Sequence, residues 1–383
     1  MANIFKGPSI VMTGYNSIEN LKEVMEWFKC KKPIIITDAG IVKAGLAERI
    51  YNIIKEFGLT VDIYSEIESD PSIETAEKCS NFVKQGGYDF ILALGGGSPI
   101  DIAKVASIMM TNEGEVSDFL GIEKVPNRGL PKIIIPTTAG TGSEVTNVSV
   151  LSIPDKKTKK GIVSRYLFAD VAIIDSSLML TIPANVTAST GMDALTHAIE
   201  AYISRFSTPW TDMYALKSIS LIGKYLRRAV VDGKNIEARE NMAIASTYAG
   251  LAFGNAATGM VHGIAMSLGG QCHVPHGIAN AIMLPYVMEW NSVSSFEKFK
   301  QIAIALGENT EGLSDKKAAE KAVTAVRDLS IDIGIPQNLR SLSIKDTDLE
   351  ELARDAMTNE RQIKPNPRDV SYDEVLNILK KAL

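Results

Sequence analysis

A chain of 383 residues with 45% hydrophobic and 22% charged side chains exceeds one comfortable core and suits two domains, which excludes a disordered polypeptide. Its formal net charge of −5, with no block of Lys and Arg, lacks the basic footprint of a nucleic-acid binder, so the expected partner is a small molecule. Three scattered cysteines, Cys30, Cys79 and Cys272, form no CxxC pair and encode neither a disulfide framework nor a thiolate zinc site.

The opening segment, MANIFKGPSIVMTG, has one lysine and an apolar stretch too short and too broken by Gly and Pro for a signal peptide, which points to the cytoplasm. Short β-branched runs then alternate with amphipathic stretches. PIIIT (33–37) precedes IVKAGLAERIYNIIKEFG, VDIY (61–64) precedes SIETAEKCSNFVKQGG, and FILAL (90–94) precedes SPIDIAKVASIMM. Strand-helix-strand-helix order predicts a parallel sheet with right-handed crossovers. KIIIP (132–136), VSVL (148–151) and VAIID (171–175) extend this region to about residue 180. From Pro183 the period turns helical, first in ANVTASTGMDALTHAIEAYIS and TDMYALKSISLIGKYLRRAV, and stays so to LNILKKAL at the end. The expected fold is an α/β domain over 1–180, a parallel sheet flanked by helices, followed by an all-α domain over 181–383. A ligand cleft is expected at their junction, near SSLMLTIP.

From Asn241 to Met288 there is no Asp, Glu, Lys or Arg. Three histidines, Asn255, Gln271, Asn280 and many glycines in that tract are costly in lipid, so buried helices are expected and no membrane span. Such apolar tracts permit a homo-oligomer, a dimer or larger.

Two loops carry the signals for a phosphate-bearing ligand. LALGGGSPIDIAK (92–104) is an apolar strand, a triple glycine at Gly95, Gly96 and Gly97, then a helix opened by Ser98 with Pro99 in its first turn. Glycines let backbone N–H groups approach a pyrophosphate, and the helix N-terminus adds partial positive charge, although such turns also serve tight packing. PTTAGTGSEVT (136–146) follows another strand and offers hydroxyls with backbone amides. Two such loops at the carboxyl ends of strands converge on a crevice in open α/β sheets. Asp38, ending the first clear strand, suits either an adenosine ribose, favouring NAD over NADP, or a helix cap after it.

GMDALTHAIEAY places Asp193 and His197 four apart, on one face of a helix. The other histidines, His262, His273 and His276, lie inside the charge-free tract, where ring nitrogens must find partners. A shared cation satisfies them, and Asp193, His197, His262 and His276 supply three nitrogens and one oxygen with room for a substrate oxygen.

GGGSPIDIAK, PTTAGTGSE, GMDALTHAIEAY and HGIAMSLGGQCHVPHGIANAIMLP, in this order along nearly the whole chain, resemble the iron-containing (group III) alcohol dehydrogenase family. The resemblance implies a dinucleotide-binding α/β domain, a helical domain and the same four metal ligands. Its cofactor contacts fall on Asp38, Gly95, Gly96, Gly97, Ser98, Asp101, Thr137, Thr138, Thr141 and Lys159, with Asp70 near the adenine and Phe253 near the substrate pocket. Many relatives have a further histidine where this chain has Met266, which is expected to shape the pocket, and PNP where it has SDP with Asp70. The implied activity is hydride transfer between NAD(H) and a small primary alcohol, aldehyde or diol, assisted by Fe(II) or Zn(II). The alternatives are an acid-bearing or phosphorylated aldehyde, a polyol as in zinc-dependent glycerol dehydrogenases, or, remotely, a non-catalytic nucleotide- or metal-binding protein. His273, close in sequence to a ligand, is the candidate for passing the proton to solvent.

Overall fold

The computed structural model describes residues 3–154 and 158–383. Two compact units partition the chain: Gly7–Thr181, and Ile182–Leu383 together with the segment ending at Lys6.

In the first unit the strands are β1 (Ile10–Thr13), β2 (Pro33–Ile36), β3 (Asp62–Tyr64), β4 (Phe90–Gly95), β5 (Gly121–Ile122), β6 (Lys132–Pro136), β7 (Val148–Ile153), β8 (Thr158–Val163) and β9 (Val171–Ile174). Among the described residues, six of them form a parallel sheet in the order β1-β9-β6-β4-β2-β3. β2, β4, β6 and β9 are buried along their length, which is why they read as unbroken apolar runs rather than alternating ones. The helices of this unit are α1 (Leu21–Trp27), α2 (Ala39–Lys43), α3 (Leu46–Glu56), α4 (Ile73–Gly86) and α5 (Gly97–Met109). Ile50 and Ile54 of α3 join Ile35, Leu92, Leu94, Ile133 and Val171 in one apolar core. The chain moves from β2 outward to β3, then returns to β4 and continues to β6 and β9, so its direction across the sheet reverses between β2 and β4. Open α/β sheets bind ligands at that reversal, beyond the carboxyl ends of the strands.

Four local features depart from the sequence expectation. β1 pairs with β9 at the sheet edge, Ile10 opposite Val171, a partner too distant in sequence to leave a local signal. VSVL belongs to β7, which pairs antiparallel with β8 and, through it, with β5 in a separate small sheet. The single helix expected after β2 is broken at Gly45, whose φ of 76° is left-handed and ends one helix before the next begins. The glycine-rich helix starts at Gly97 with Gly96 as its extended N-cap, slightly earlier than Ser98.

The second unit contains α6 (Ala184–Ile203), α7 (Pro209–Val231), α8 (Ile236–Ala256), α9 (Met260–Cys272), α10 (His276–Asn291), α11 (Phe296–Ala305), α12 (Asp315–Asp332), α13 (Leu349–Thr358), α14 (Glu360–Ile363) and α15 (Tyr372–Ala382). α6 packs against α7, α8 and α10, and is buried without a break from Gly191 to Ile203, as a helix surrounded by others must be. The charge-free tract forms most of α8, all of α9 and most of α10. Among the described residues no helix is long and apolar enough to cross a membrane. The N-terminal segment packs here: Lys6 donates its backbone N–H to Asn255 and accepts the Asn255 amide in return, while Phe5 stacks on Tyr214 of α7.

Candidate metal centre and ligand-binding loops

Three helices deliver the candidate ligands. Asp193 and His197 stand one turn apart on α6, His262 lies in the first turn of α9, and His276 opens α10 directly after Pro275. Proline suits that place because it cannot continue a helix backwards and fixes where the next one begins. Ligand atoms of Asp193, His262 and His276 all lie within 4.8 Å of one another. Asp193 Oδ1 is 3.7 Å from His262 Nε2 and 3.8 Å from His276 Nε2. Two ligands each about 2.1 Å from one cation stand at most about 4.2 Å apart, so these separations accept a shared ion. His197, the fourth expected ligand, stands beside this group rather than within it, its Nδ1 4.0 Å from the other carboxylate oxygen, Asp193 Oδ2. Its ring is stacked between His262, at 4.4 Å between centroids, and Phe253, at 4.1 Å.

Two residues outside the expected set hold these ligands. Glu200 Oε2 is 2.6 Å from His262 Nδ1, and both Glu200 oxygens also accept backbone N–H groups, from Gly259 and Val261. A carboxylate on Nδ1 fixes the tautomer that turns the Nε2 lone pair toward a cation. Asn280 is fully buried one turn after His276, and its Nδ2 donates to Asp193 Oδ1 at 2.7 Å while lying 3.1 Å from His276 Nε2 and 3.3 Å from His262 Nε2. Two amide hydrogens cannot serve three acceptors fully, and the Asn280 Oδ1 is buried without a hydrogen-bond partner among the described residues. A cation taking both Nε2 lone pairs relieves that crowding, so the donor chemistry fits a divalent metal. Helical spacing could have pointed to both residues: Glu200 follows Asp193 by two turns, and Asn280 follows His276 by one.

His273 is exposed at the end of α9 in the left-handed conformation, φ 55°, and is not one of the clustered ligands. Met266 is half-buried one turn beyond His262.

In the sheet unit, the loops after β2, β4 and β6 come together. Asp38 caps α2 by accepting the Ile41 N–H at 3.0 Å, and its other oxygen faces Gly95, where an added Cβ would stand 3.5 Å away. Thr137 donates its backbone N–H to the Gly95 carbonyl. A Cβ on Gly96 would stand 3.5 Å from Thr138 Oγ1, and one on Gly97 only 3.1 Å from Thr141 Cγ2, so bare glycine leaves the space between the loops open. The Thr137 hydroxyl is buried without a hydrogen-bond partner among the described residues, which leaves it able to bond a ligand. Ser98 lies in the first turn of α5, where free N–H groups and the helix dipole favour a phosphate. The remaining three expected contacts are engaged within the chain. Both Asp101 oxygens accept bonds, from Ser143 and from the Val150 N–H, and Lys159 pairs with Asp70 at 2.6 Å. Asp70 itself has a left-handed φ of 55°.

Comparison with known proteins agrees with this two-part arrangement. The family description "Iron-containing alcohol dehydrogenase" matches residues 8–176, and "Fe-containing alcohol dehydrogenase family, C-terminal" matches residues 187–383. The 1,3-propanediol dehydrogenase of Klebsiella pneumoniae is 42% identical over 377 residues, covering 98% of this chain and 97% of that protein. The NAD-dependent methanol dehydrogenase of Bacillus methanolicus is 37% identical over 383 residues, covering 100% of both. A crystal structure of a 1,3-propanediol oxidoreductase superposes with a TM-score of 0.98 at 41% identity, covering 100% of both chains. With both parts matched and full-length relatives well above 30% identity, the chain belongs to the iron-containing alcohol dehydrogenase family.

Proposed function

We propose that this NAD-dependent, metal-containing alcohol dehydrogenase acts on small primary alcohols, diols and the corresponding aldehydes, and that Asp193, His197, His262 and His276 hold Fe(II) in preference to Zn(II). The observation that carries the proposal is the convergence of Asp193, His262 and His276 from three helices within an apolar interior. A divalent cation held there supplies Lewis-acid polarisation of the substrate oxygen.

The chain's own groups do the rest. Glu200 keeps the His262 imidazole in its ligating tautomer, and Asn280 steers the Asp193 carboxylate. Phe253 and Met266, both half-buried, supply apolar surface that selects the substrate's carbon chain and excludes water. The loops around Gly95–Ser98 and Thr137–Thr141 hold the pyrophosphate and the nicotinamide end of NAD. Asp38 accepts from the adenosine ribose and disfavours a 2′-phosphate; Lys159 and Asp70 flank the cofactor as an ion pair. His273, exposed to solvent, passes the proton out. Family names support this substrate class: one relative is a 1,3-propanediol dehydrogenase and another a methanol dehydrogenase.

Metal analysis of anaerobically purified protein, paired with NADH oxidation against propanal, lactaldehyde and 3-hydroxypropanal, tests the proposal. The expected result is about one iron per chain and turnover of at least one aldehyde. Absence of bound metal together with absence of turnover after adding Fe(II) or Zn(II) would overturn it.

A further inference from the structure

Lys104 and Asp101 lie one turn apart on α5, Lys104 fully buried and Asp101 with only an edge of its side chain in reach of water. A buried ammonium needs three acceptors, and Lys104 Nζ finds them in Ser143 Oγ at 2.9 Å, Thr146 Oγ1 at 3.2 Å and the Val148 carbonyl at 2.8 Å. Asp101 Oδ1 accepts from Ser143 Oγ at 2.7 Å, its Oδ2 accepts the Val150 N–H at 2.8 Å, and its backbone carbonyl accepts from Ser149 Oγ. All these partners belong to residues 143–150, the stretch from the second ligand loop into β7. The helix that begins at the triple-glycine turn is therefore strapped to the end of the other loop by buried polar bonds.

The direct charge contact is loose, with Lys104 Nζ and Asp101 Oδ1 3.9 Å apart. Ser143 is what closes it. An ammonium only donates and a carboxylate only accepts, so the Ser143 hydroxyl has one allowed orientation, accepting from Lys104 and donating to Asp101. Its backbone N–H in turn reaches Thr141 Oγ1 at 3.3 Å, and Thr141 faces the space above Gly97. Gly142, at φ 58°, makes the left-handed turn between them. Burial strains the pair in both directions, holding Lys104 down to about 8 and raising the Asp101 carboxyl, so each depends on that bridging hydroxyl.

We infer that Ser143, by bridging the buried Asp101–Lys104 pair, is a positioning residue for the dinucleotide: it fixes the distance between the Thr137–Gly142 loop and the Gly95–Gly97 turn. The inference rests on the reading that these two loops hold the cofactor. In it Asp101 serves as the anchor of the strap. A ligand bound from two loops at once needs both at one separation, so a small drift costs affinity for the whole dinucleotide.

The test is NADH affinity, followed by fluorescence titration of metal-stripped protein at a temperature well below unfolding, for Ser143→Ala, Ser143→Thr and Gly97→Val. Ser143→Ala is expected to weaken NADH binding by about tenfold, with the KM for NAD rising and the KM for the alcohol unchanged. Ser143→Thr keeps the hydroxyl and is expected to recover most of the affinity. Gly97→Val fills the space between the loops and is expected to abolish binding. Loss with Gly97→Val but NADH affinity within twofold of the unsubstituted protein for Ser143→Ala would overturn the positioning role. Unchanged binding with Gly97→Val would overturn the cofactor reading beneath it. Should the alanine variant not fold, Ser143→Cys, which keeps the shape with a poor donor, carries the same expectation and the same criterion.

Discussion

Gly277 of α10 packs so closely on Ser189 of α6 that a Cβ at Gly277 would stand 2.5 Å from the Ser189 carbonyl oxygen. The contact sits one residue after His276 and four before Asp193, so it sets how near the two helices bring their ligands. Gly277→Ala must push the helices apart. We expect a stability loss of about 1–3 kcal/mol and at least tenfold weaker metal binding, measured by chelator competition. Unchanged metal affinity would show that the ligand spacing does not depend on this contact.

Glu200 offers a second handle on the metal. Replacing it with Gln removes the charge beside His262 Nδ1 but keeps the shape, and loss of such an outer partner costs about 10–100-fold in metal affinity. Glu200→Gln is expected to fall in that range while the metal-free protein still binds NADH as before. A variant with full metal affinity would remove Glu200 from the centre.

Coenzyme choice is predicted to turn on Asp38. Serine still accepts the Ile41 N–H at the helix cap but carries no charge. Asp38→Ser is expected to improve kcat/KM for NADP relative to NAD by about tenfold, the equivalent of ~1.4 kcal/mol of relieved repulsion. An unaltered ratio would place the ribose elsewhere.

His273 sits where only residues tolerant of a left-handed backbone fit, so asparagine is the fair replacement. His273→Asn should alter the slope of the pH–rate profile while leaving metal content intact. An identical profile would remove His273 from the proton path.

Stability should rise with pH just above 8. Burial holds Lys104 and Lys132 down to about 8, whereas unfolded lysine keeps its proton to about 10.4. From pH 8 upward the unfolded chain therefore binds more protons than the native one, and the unfolding free energy increases. Cys30, pushed up to about 12 by burial, and Cys79, also raised, work the other way once unfolded thiols begin to ionise near pH 9. Urea midpoints between pH 7.5 and 9 should climb for the unsubstituted protein and climb about half as steeply for Lys132→Met. Equal slopes would assign the rise to other groups.

Much of this was legible in the residues. Buried parallel strands are continuous apolar runs, so β2, β4 and β6 stood out, and the i, i+4 spacing of Asp193 and His197 survives intact on α6. Glu200 and Asn280 did not stand out, because a carboxylate or amide in a helix is ordinary until one knows that the helix is buried on every side. β1 was hidden for another reason: four residues pairing in parallel with a strand far along the chain show no turn or alternation to betray them. The Asp101–Lys104 strap was equally silent, since its partners at 143–150 declare themselves only through distance.

The reciprocal bond between Lys6 and Asn255 spans 249 positions of chain. During synthesis the first described residues leave the ribosome long before the helices they dock on. At about 5–20 residues per second they wait roughly 12–50 s. The N-terminal segment therefore closes the helical unit late, and a helical fragment begun at the second unit's boundary lacks the piece that Tyr214 and Asn255 receive.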